Sequence, residues 1–470
     1  MTSSVPVALP TAWATAWRAH PDRAVLEVLG EGSLTARELD HRSMNAASAL
    51  GSLGVSPGAR VVWEAVSSLE AIIVALGVLR CGAVLVPVAE RQSDLERLTV
   101  IDDVDPTIVV AERRAAVGTV TEPPRELLAR RGPAVELDGA AADDVALIVY
   151  TSGTTGRPKG AVHTHGSIAA QAASLTSAWG WTAADRLLIA LPLFHVHGLV
   201  VGLFTGLSTG GAVTCQPVFD TGAFLDAIDQ AAATMAFCVP TMLYRIDAHP
   251  NADLMASLRL VVSGSAPLSP RTFEAFERRG ISILERYGMT ETLLTISNPL
   301  EGERRPGTVG RALPGVSLKL PPAGEDGELL VSGPTLFAGY WRRPDATAEI
   351  MTDGWVSTGD IVRVDGDGYV IICGRSKELI ISGGFNVYPS EVEDVLRAID
   401  GVDDAAVVGA PSDEWGEVVV AYLVTPAGMD VDSIAEKCAE ALSPYKRPRR
   451  FTEVEEIPRN SLGKVQRHLL

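Results

Sequence analysis

From Arg23 onward, short apolar runs alternate with longer amphipathic ones. RAVLEV, ARVVWEA, AVLVPV and PTIVVAE have the continuous apolar character of buried strands, and LTARELDHRSMNAASALGSLG, SLEAIIVALGVLRCG and ERLTVIDDV between them carry helical spacing. Strands that alternate with helices of this length pair in parallel, which predicts βαβ units. The rhythm pauses at DVALIV and the glycine-rich YTSGTTGRPKG, then resumes through DRLLIALPLFHVHGLVVGLFTGLSTGG, TMAFCVPTMLYRI, LRLVVSGSAP and PRTFEAFERRG. A turn-rich β region occupies roughly residues 305–375. The last hundred residues read as a small α+β unit. In it YVIICGR, KELIISGG, DAAVVGA and GEVVVAYLVT are strands, SEVEDVLRAI is a helix opened by a Ser390-x-x-Glu393 capping box, and VDSIAEKCAEAL is a second helix. The boundary falls near Gly374 to Lys377 on a tight polar connection, giving a large α/β domain of residues 1–376 and a small α+β domain of residues 377–470.

A chain of 470 residues is long enough for two or three domains. Its net charge of −18 argues against nucleic acid or anionic membrane as partners, so an anionic ligand must be held by local donors. The five cysteines are scattered and mostly flanked by apolar residues, the pattern of buried thiols in a reducing cytoplasm. The N-terminus lacks the positive and apolar regions of a secretory leader, and no apolar stretch is long enough to span a membrane.

YTSGTTGRPKG, residues 150–160, gathers small donors and one cation behind a strand. Glycines let backbone N–H groups approach an anion, and Thr151, Ser152, Thr154, Thr155 and Lys159 add hydroxyl and ammonium donors, so a phosphate is the expected occupant. The P-loop pattern G-x-x-x-x-G-K-[ST] is excluded, because Gly156 is followed by Arg-Pro-Lys-Gly. A flexible surface linker is the alternative, but it leaves Pro158-Lys159 and the preceding apolar run unexplained.

Five further segments follow in order: SGSAP at 263–267, RYGMTET at 286–292, STGD at 357–360, GRSKELIISGGFNVYPSEVE at 374–393 and PRNSLGK at 458–464. Together they resemble the adenylate-forming enzymes, the superfamily of acyl-CoA synthetases, peptide-synthetase adenylation domains and firefly luciferase, over nearly the whole chain. The resemblance implies ATP, Mg²⁺ and coenzyme A as cofactors and a small-molecule carboxylic acid as substrate. It places Thr151, Ser152, Gly153, Thr154, Thr155, Gly156 and Lys159 over the ATP phosphates, and Tyr287 on one face of adenine with the Gly264-Ser265-Ala266 backbone on the other. Thr290 would reach the α-phosphate, Glu291 would hold Mg²⁺, and Asp360 assisted by Arg375 would take the ribose hydroxyls. Lys464 would supply a cation where negative charge develops as the carboxylate attacks the α-phosphate. The small domain would then rotate about Lys377 and bring the loop of Ser382, Gly383 and Gly384 to the site, where pantetheine passes close to backbone. YKRPRR at 445–450 either meets CoA phosphates or is a solvated basic turn. The P-x-x-x-x-G-K pattern ending at Lys464 also resembles a site of lysine acetylation in bacterial acyl-CoA synthetases, which implies a lysine acetyltransferase as partner.

In this family the acyl pocket is built around segments equivalent to HVHGL, with His195, to VPTM, and to the strand before Tyr287. A fatty-acid pocket should be apolar, since a buried unpaired guanidinium is costly. Arg245 and Arg286 break that expectation. With PLFHVHGL and ERYGMTET they resemble the malonyl-CoA and methylmalonyl-CoA synthetases, which implies that Arg245, Arg286 and Ser263 bind a distal carboxylate. Arginine suits that task because its planar fork matches a carboxylate and keeps its charge on burial. The alternative is a structural salt bridge to Glu285 or a neighbouring acid. SGGFNVYPSEVE instead resembles general fatty-acyl and aryl-CoA ligases. The expected function is a ligase of fatty acid metabolism that makes malonyl-CoA or methylmalonyl-CoA through an acyl-adenylate, releasing AMP and pyrophosphate. Competing readings are a medium-chain fatty acyl-CoA ligase, a free-standing adenylation enzyme that loads a carrier protein, a luciferase-like oxygenase, and a nucleotide sensor, the last having no need of Lys464.

Overall fold

The computed structural model describes residues 8–112, 120–151, 158–412, 415–425, 431–460 and 463–470. The protein is mixed α/β, with a large N-terminal part and a smaller C-terminal one. A seven-stranded sheet has Val84–Val88, Arg60–Glu64 and Ile108–Val110 in parallel at its centre, as the apolar runs predict. Val145–Thr151 joins it, and Lys159–Thr164 returns antiparallel across the glycine-rich loop with Thr151 opposite Lys159. The helix Leu69–Arg80 starts on a Ser68 cap and is buried at every position but Glu70. A Cβ at its Gly77 would come 2.7 Å from Ala46 Cβ, so the missing side chain lets this helix lie close against Ala36–Ser52.

A nine-stranded sheet places Arg186–Ile189, Met235–Cys238, Leu260–Ser263 and Ile283–Met289 side by side in parallel. One continuous apolar core, including Trp13, Trp63, Leu76, Phe204 and Phe237, spans both sheets. The β region forms a third sheet in which Trp355–Val364 pairs antiparallel with Asp326–Ser332 and with Val370–Arg375. YVIICGR therefore belongs to this sheet and not to the small unit, and its register sets Arg375 directly opposite Asp360.

The small unit has its own sheet, built from Ile380–Ser382, Phe385–Val387, Asp404–Ser412, Gly416–Val424 and Arg450–Glu453, and its own core around Val392, Leu396, Val407, Val419 and Ile434. The expected capping box does not form. The helix Pro389–Arg397 begins with proline in its first turn, so Ser390 lies inside it and not at its cap. The Ser390 hydroxyl donates to the Cys373 carbonyl, tying the small unit to the β region. Glu393 accepts from Val407 N and from Arg467 at 2.9 and 2.7 Å. All five cysteines are free thiols. Among the described residues no helix is long and apolar enough to cross a membrane.

Candidate active site

The strands Met235–Cys238 and Leu260–Ser263 end together, with Cys238 opposite Ser263, and Ser263 lies opposite Glu285 on Ile283–Met289, which runs on beyond them carrying Arg286 and Tyr287. The carboxyl ends of parallel strands are where open α/β sheets hold ligands. Three groups of side chains converge on this edge.

The first surrounds Asp360, which is only 4 % exposed. It pairs with Arg375 Nε at 3.0 Å and accepts a hydrogen bond from the Tyr287 hydroxyl. Its backbone N–H donates to Thr358 Oγ1 at 3.1 Å. Burial, with the Asp360 charge, raises the Tyr287 pKa well above the usual range, so the phenol remains a donor. An aromatic ring, a carboxylate and a guanidinium thus meet in one corner, able to take a nucleoside's base and hydroxyls.

The second group lies by the glycine-rich loop. Ser152, Gly153, Thr154, Thr155 and Gly156 lie outside the described residues, whereas Thr151 and Lys159 face each other on the strands that flank them. The Lys159 ammonium is 5.1 Å from the centre of the Tyr340 ring, and the Tyr340 hydroxyl donates to Glu291 Oε1 at 2.7 Å. His163 Nε2 lies 2.7 Å from the Thr290 carbonyl oxygen, so this ring nitrogen carries the proton, and burial lowers the imidazole pKa to about 4. Thr290 and Glu291 are therefore pinned by two side chains that sequence reasoning passed over, His163 on the loop's returning strand Lys159–Thr164 and Tyr340 on the strand Gly339–Tyr340 paired with it.

The third group is buried and electropositive. Arg286 is 5 % exposed, and burial lowers its pKa to about 9. Among the described residues its Nε and Nη2 meet no acceptor, and Ser263 Oγ and His197 Nε2 are likewise buried and unpartnered. A Cβ at Gly264 would collide with Arg286 Cζ, so the glycine lets the guanidinium lie flat against the SGSA backbone. The possible pairing with Glu285 is absent: alternation along the strand sends Glu285 to the other face, where Gly307 N donates to it at 3.3 Å. Ser265 Oγ is 3.2 Å from His197 Nδ1, so the hydroxyl of this expected adenine neighbour turns toward the acyl side, with Ala266 half-buried after it. His195 is half-buried with its ring 4.1 Å from that of Phe194, and burial lowers its pKa to about 4. It is His197, at the start of the π-helical turn His197–Phe204, that stands within the field of Arg286. Arg245 is exposed on the helix Pro240–Asp247 and does not join the buried cluster. It lies one turn from Thr241, the residue that Gly463 approaches.

Lys464 comes to this edge from the small unit. Its backbone N–H donates to Asn460 Oδ1 at 3.0 Å, Asn460 N donates to the Lys464 carbonyl at 2.9 Å, and Gly463 takes the left-handed conformation between them at φ 79°. Burial, then the Arg375 charge, lowers the ammonium pKa, against the opposing pull of Glu378 and Asp360. Ser382, Gly383 and Gly384 lie at the hairpin turn between Ile380–Ser382 and Phe385–Val387, Gly383 against the Trp415 ring, and Lys377 is exposed in the turn Ser376–Glu378. Within YKRPRR, Lys446 pairs with Glu391 at 2.6 Å and Arg447 donates to the carbonyls of Leu442 and Ala439, which leaves Arg449, stacked over Trp415, and Arg450 exposed.

Residues 13–341 match the AMP-binding enzyme family, and residues 391–464 match the AMP-binding enzyme C-terminal domain. The chain is 36% identical over 463 residues to a feruloyl-CoA synthase of Amycolatopsis sp, covering 93% of both chains. It is 36% identical over 472 residues to a malonate–CoA ligase of Arabidopsis thaliana, covering 88% of this chain and 78% of that one. Its fold is similar to the crystal structure of ATP-bound MatB from Rhodopseudomonas palustris, with a TM-score of 0.93, 35% identity and 98% of each chain covered.

Proposed function

The chain belongs to the AMP-binding enzyme family, and from that premise we propose that its acid substrate carries a second acidic group, as malonate and methylmalonate do. The protein is an ATP-dependent acyl-CoA ligase, an AMP-forming acid–thiol ligase. The observation that carries the substrate reading is the buried Arg286, whose Nε and Nη2 lack acceptors beside the equally unpartnered Ser263 hydroxyl. A guanidinium in apolar surroundings is tolerated when a counter-ion completes it, and a carboxylate lying along the Nε–Nη2 edge satisfies both donors at once. Similarity to a malonate–CoA ligase supports the same reading. Arg245 shares a helix face with Thr241 and would close over the acid from the side on which Lys464 arrives.

The remaining residues take the roles that their contacts favour. Asp360, Arg375 and Tyr287 hold the nucleoside, while Thr151, Lys159 and Thr290 meet the phosphates. Glu291 would hold Mg²⁺, a hard cation that prefers carboxylate and phosphate oxygens. The Glu291 carboxylate, with Oε1 engaged by Tyr340, keeps a hard anionic oxygen for that purpose. Bound there, Mg²⁺ would offset charge on the triphosphate. Lys464 stabilises the adenylation transition state; Lys377 is the hinge between residues 1–376 and 377–470, and Ser382, Gly383 and Gly384 serve the thiol step after rotation. Acetylation of Lys464 by a lysine acetyltransferase would silence the first step by removing its charge. Five free thiols agree with a cytoplasmic setting.

The test is pyrophosphate release, with and without CoA, over malonate, methylmalonate, butyrate and octanoate in the wild type and in Arg286→Met. The wild type should favour malonate or methylmalonate by up to about 10⁴-fold in specificity constant. The substitution should cost those substrates roughly 1.5 to 3 kcal/mol and spare the monocarboxylates. A wild-type preference for octanoate would refute the reading and make the protein a medium-chain fatty acyl-CoA ligase.

A further inference from the structure

The cluster around Arg286 contains one group that has so far been given no task, the His197 imidazole. We propose that His197 is a specificity-determining residue whose Nε2–H donates to the distal acid group of the substrate, with its tautomer set by the Ser265 hydroxyl. The inference rests on the reading that the substrate carries such a group.

Several observations converge on it. His197 is 3 % exposed, yet its Nε2 has no partner among the described residues, an expensive arrangement for a polar atom unless a ligand completes it. Its Nδ1 is 3.2 Å from Ser265 Oγ, and a hydroxyl that donates there leaves the neutral ring with its proton on Nε2. Burial and the Arg286 charge both favour the neutral ring, which must therefore act as a donor by tautomer and not by charge. Ser265 itself sits at φ 75°, the left-handed region that serine seldom occupies, so the chain holds a strained backbone at the residue that orients the imidazole. The π-helical turn that begins at His197 is a second local irregularity of the kind that re-aims side chains at functional sites.

Donor arithmetic specifies the ligand class. Arg286 Nε–H and Nη2–H, the Ser263 hydroxyl and His197 Nε2–H are the buried donors of the cluster left without acceptors. An ionised carboxylate offers about four lone-pair positions on two oxygens, so it can accept from every one of them. A methyl group at the same place would leave them all unsatisfied.

His197→Phe keeps the stack on Phe237, where ring centroids are 6.2 Å apart at 20°, and removes the donor. Ser265→Gly accepts the left-handed backbone and removes the CH2OH side chain, hydroxyl included. Both are compared with wild type in kcat and KM for malonate and for butyrate, with thermal melts to verify folding. The malonate-to-butyrate ratio of kcat/KM should fall about 10- to 100-fold in His197→Phe, chiefly through KM for malonate, and by less in Ser265→Gly. An unchanged ratio in both variants, whether through equal loss on the two acids or no loss on either, would overturn the inference while a wild-type preference for malonate keeps the substrate reading intact. A wild type that prefers butyrate would overturn both. If His197→Phe does not fold, the ratio in Ser265→Gly decides.

Discussion

The Tyr340 hydroxyl donates to Glu291 Oε1 at 2.7 Å while the face of the same ring receives the Lys159 ammonium at 5.1 Å. One side chain thus fixes both the acid proposed to hold Mg²⁺ and the cation beside the glycine-rich loop. Burial and the Glu291 charge raise the Tyr340 pKa well above the usual phenol range, so its hydroxyl donates at any working pH. Tyr340→Phe keeps the ring under Lys159 and deletes the hydrogen bond. Its loss is worth roughly 1.5 kcal/mol or more, about a tenfold change. Mg²⁺ titration of pyrophosphate release should show a half-saturation about tenfold higher, calorimetry should show correspondingly weaker binding of Mg·ATP, and thioester formation from presynthesised acyl-adenylate should persist. An unaltered Mg²⁺ requirement would mean that Glu291 needs no orientation.

Lys464 is held by its hydrogen bonds with Asn460 within the field of Asp360, Glu378 and Arg375, so its cation is delivered to the corner proposed to hold the nucleotide. A cation stabilises adenylation where charge builds on the phosphate, but it has no such task once the adenylate exists. Lys464→Ala should therefore slow adenylation by about 100-fold, near 3 kcal/mol, and leave thioester formation from presynthesised acyl-adenylate nearly intact. Stopped-time assays of the two half-reactions separate the outcomes, and equal loss in both would show that the lysine serves the fold or CoA.

The sequence makes burial legible where burial has a period. The strands Ala24–Val28 and Arg60–Glu64 and the helix Leu69–Arg80 lie where the apolar runs predict them. What escapes are contacts between distant positions. His163 meets Thr290 across 127 residues of chain and Tyr340 meets Glu291 across 49, and no local pattern encodes either pair. The Ser390-x-x-Glu393 pattern misleads because Pro389 moves the helix start and both side chains find better partners elsewhere. Arg245 and Arg286 carry equal weight in the sequence. The structure buries Arg286 on a central strand and leaves Arg245 on the open face of a helix.

Lys377 sits in the short turn Ser376–Glu378 between the strand Val370–Arg375 and the strand Ile380–Ser382. Its neighbours are anchored on both sides, Arg375 by Asp360 at 3.0 Å and Glu378 by Arg467 at 2.8 Å, while Lys377 itself is exposed. That is the arrangement of a residue able to absorb a change in φ and ψ without losing side-chain contacts. Proline fits the first turn of a helix but fixes φ, so Lys377→Pro should hold the present arrangement. Adenylation should remain within a few-fold of wild type and thioester formation should be lost. A full reaction at normal rate in Lys377→Pro would place the hinge elsewhere or dispense with rotation.

Stability should fall as the solution is acidified from pH 7 to pH 5. Burial lowers the pKa of His163, His165 and His195 to about 4, and burial with the Arg286 charge lowers that of His197 well below its usual value. Each of these is about 6.5 in an unfolded chain, so the unfolded state binds more protons, and the stability present above 6.5 is lost as pH falls toward 4. Glu285 acts in the opposite sense. Burial raises its pKa from 4.5 to about 7, so its contribution is complete below 4.5 and is lost as pH rises through 7. One proton of difference is worth about 1.4 kcal/mol per pH unit, so the three histidines with a pKa of about 4 against one carboxyl leave a net loss approaching about 3 kcal/mol per unit of acidification near the middle of the range, and His197 adds to it in the same direction. Urea midpoints at pH 8, 7, 6 and 5 measure the slope. Glu285→Gln, which removes the opposing group while keeping an acceptor for Gly307, should raise stability at pH 8 and steepen the fall on acidification. A midpoint that stays level or rises between pH 7 and pH 5 in the wild type would show that these histidines are not buried in neutral form.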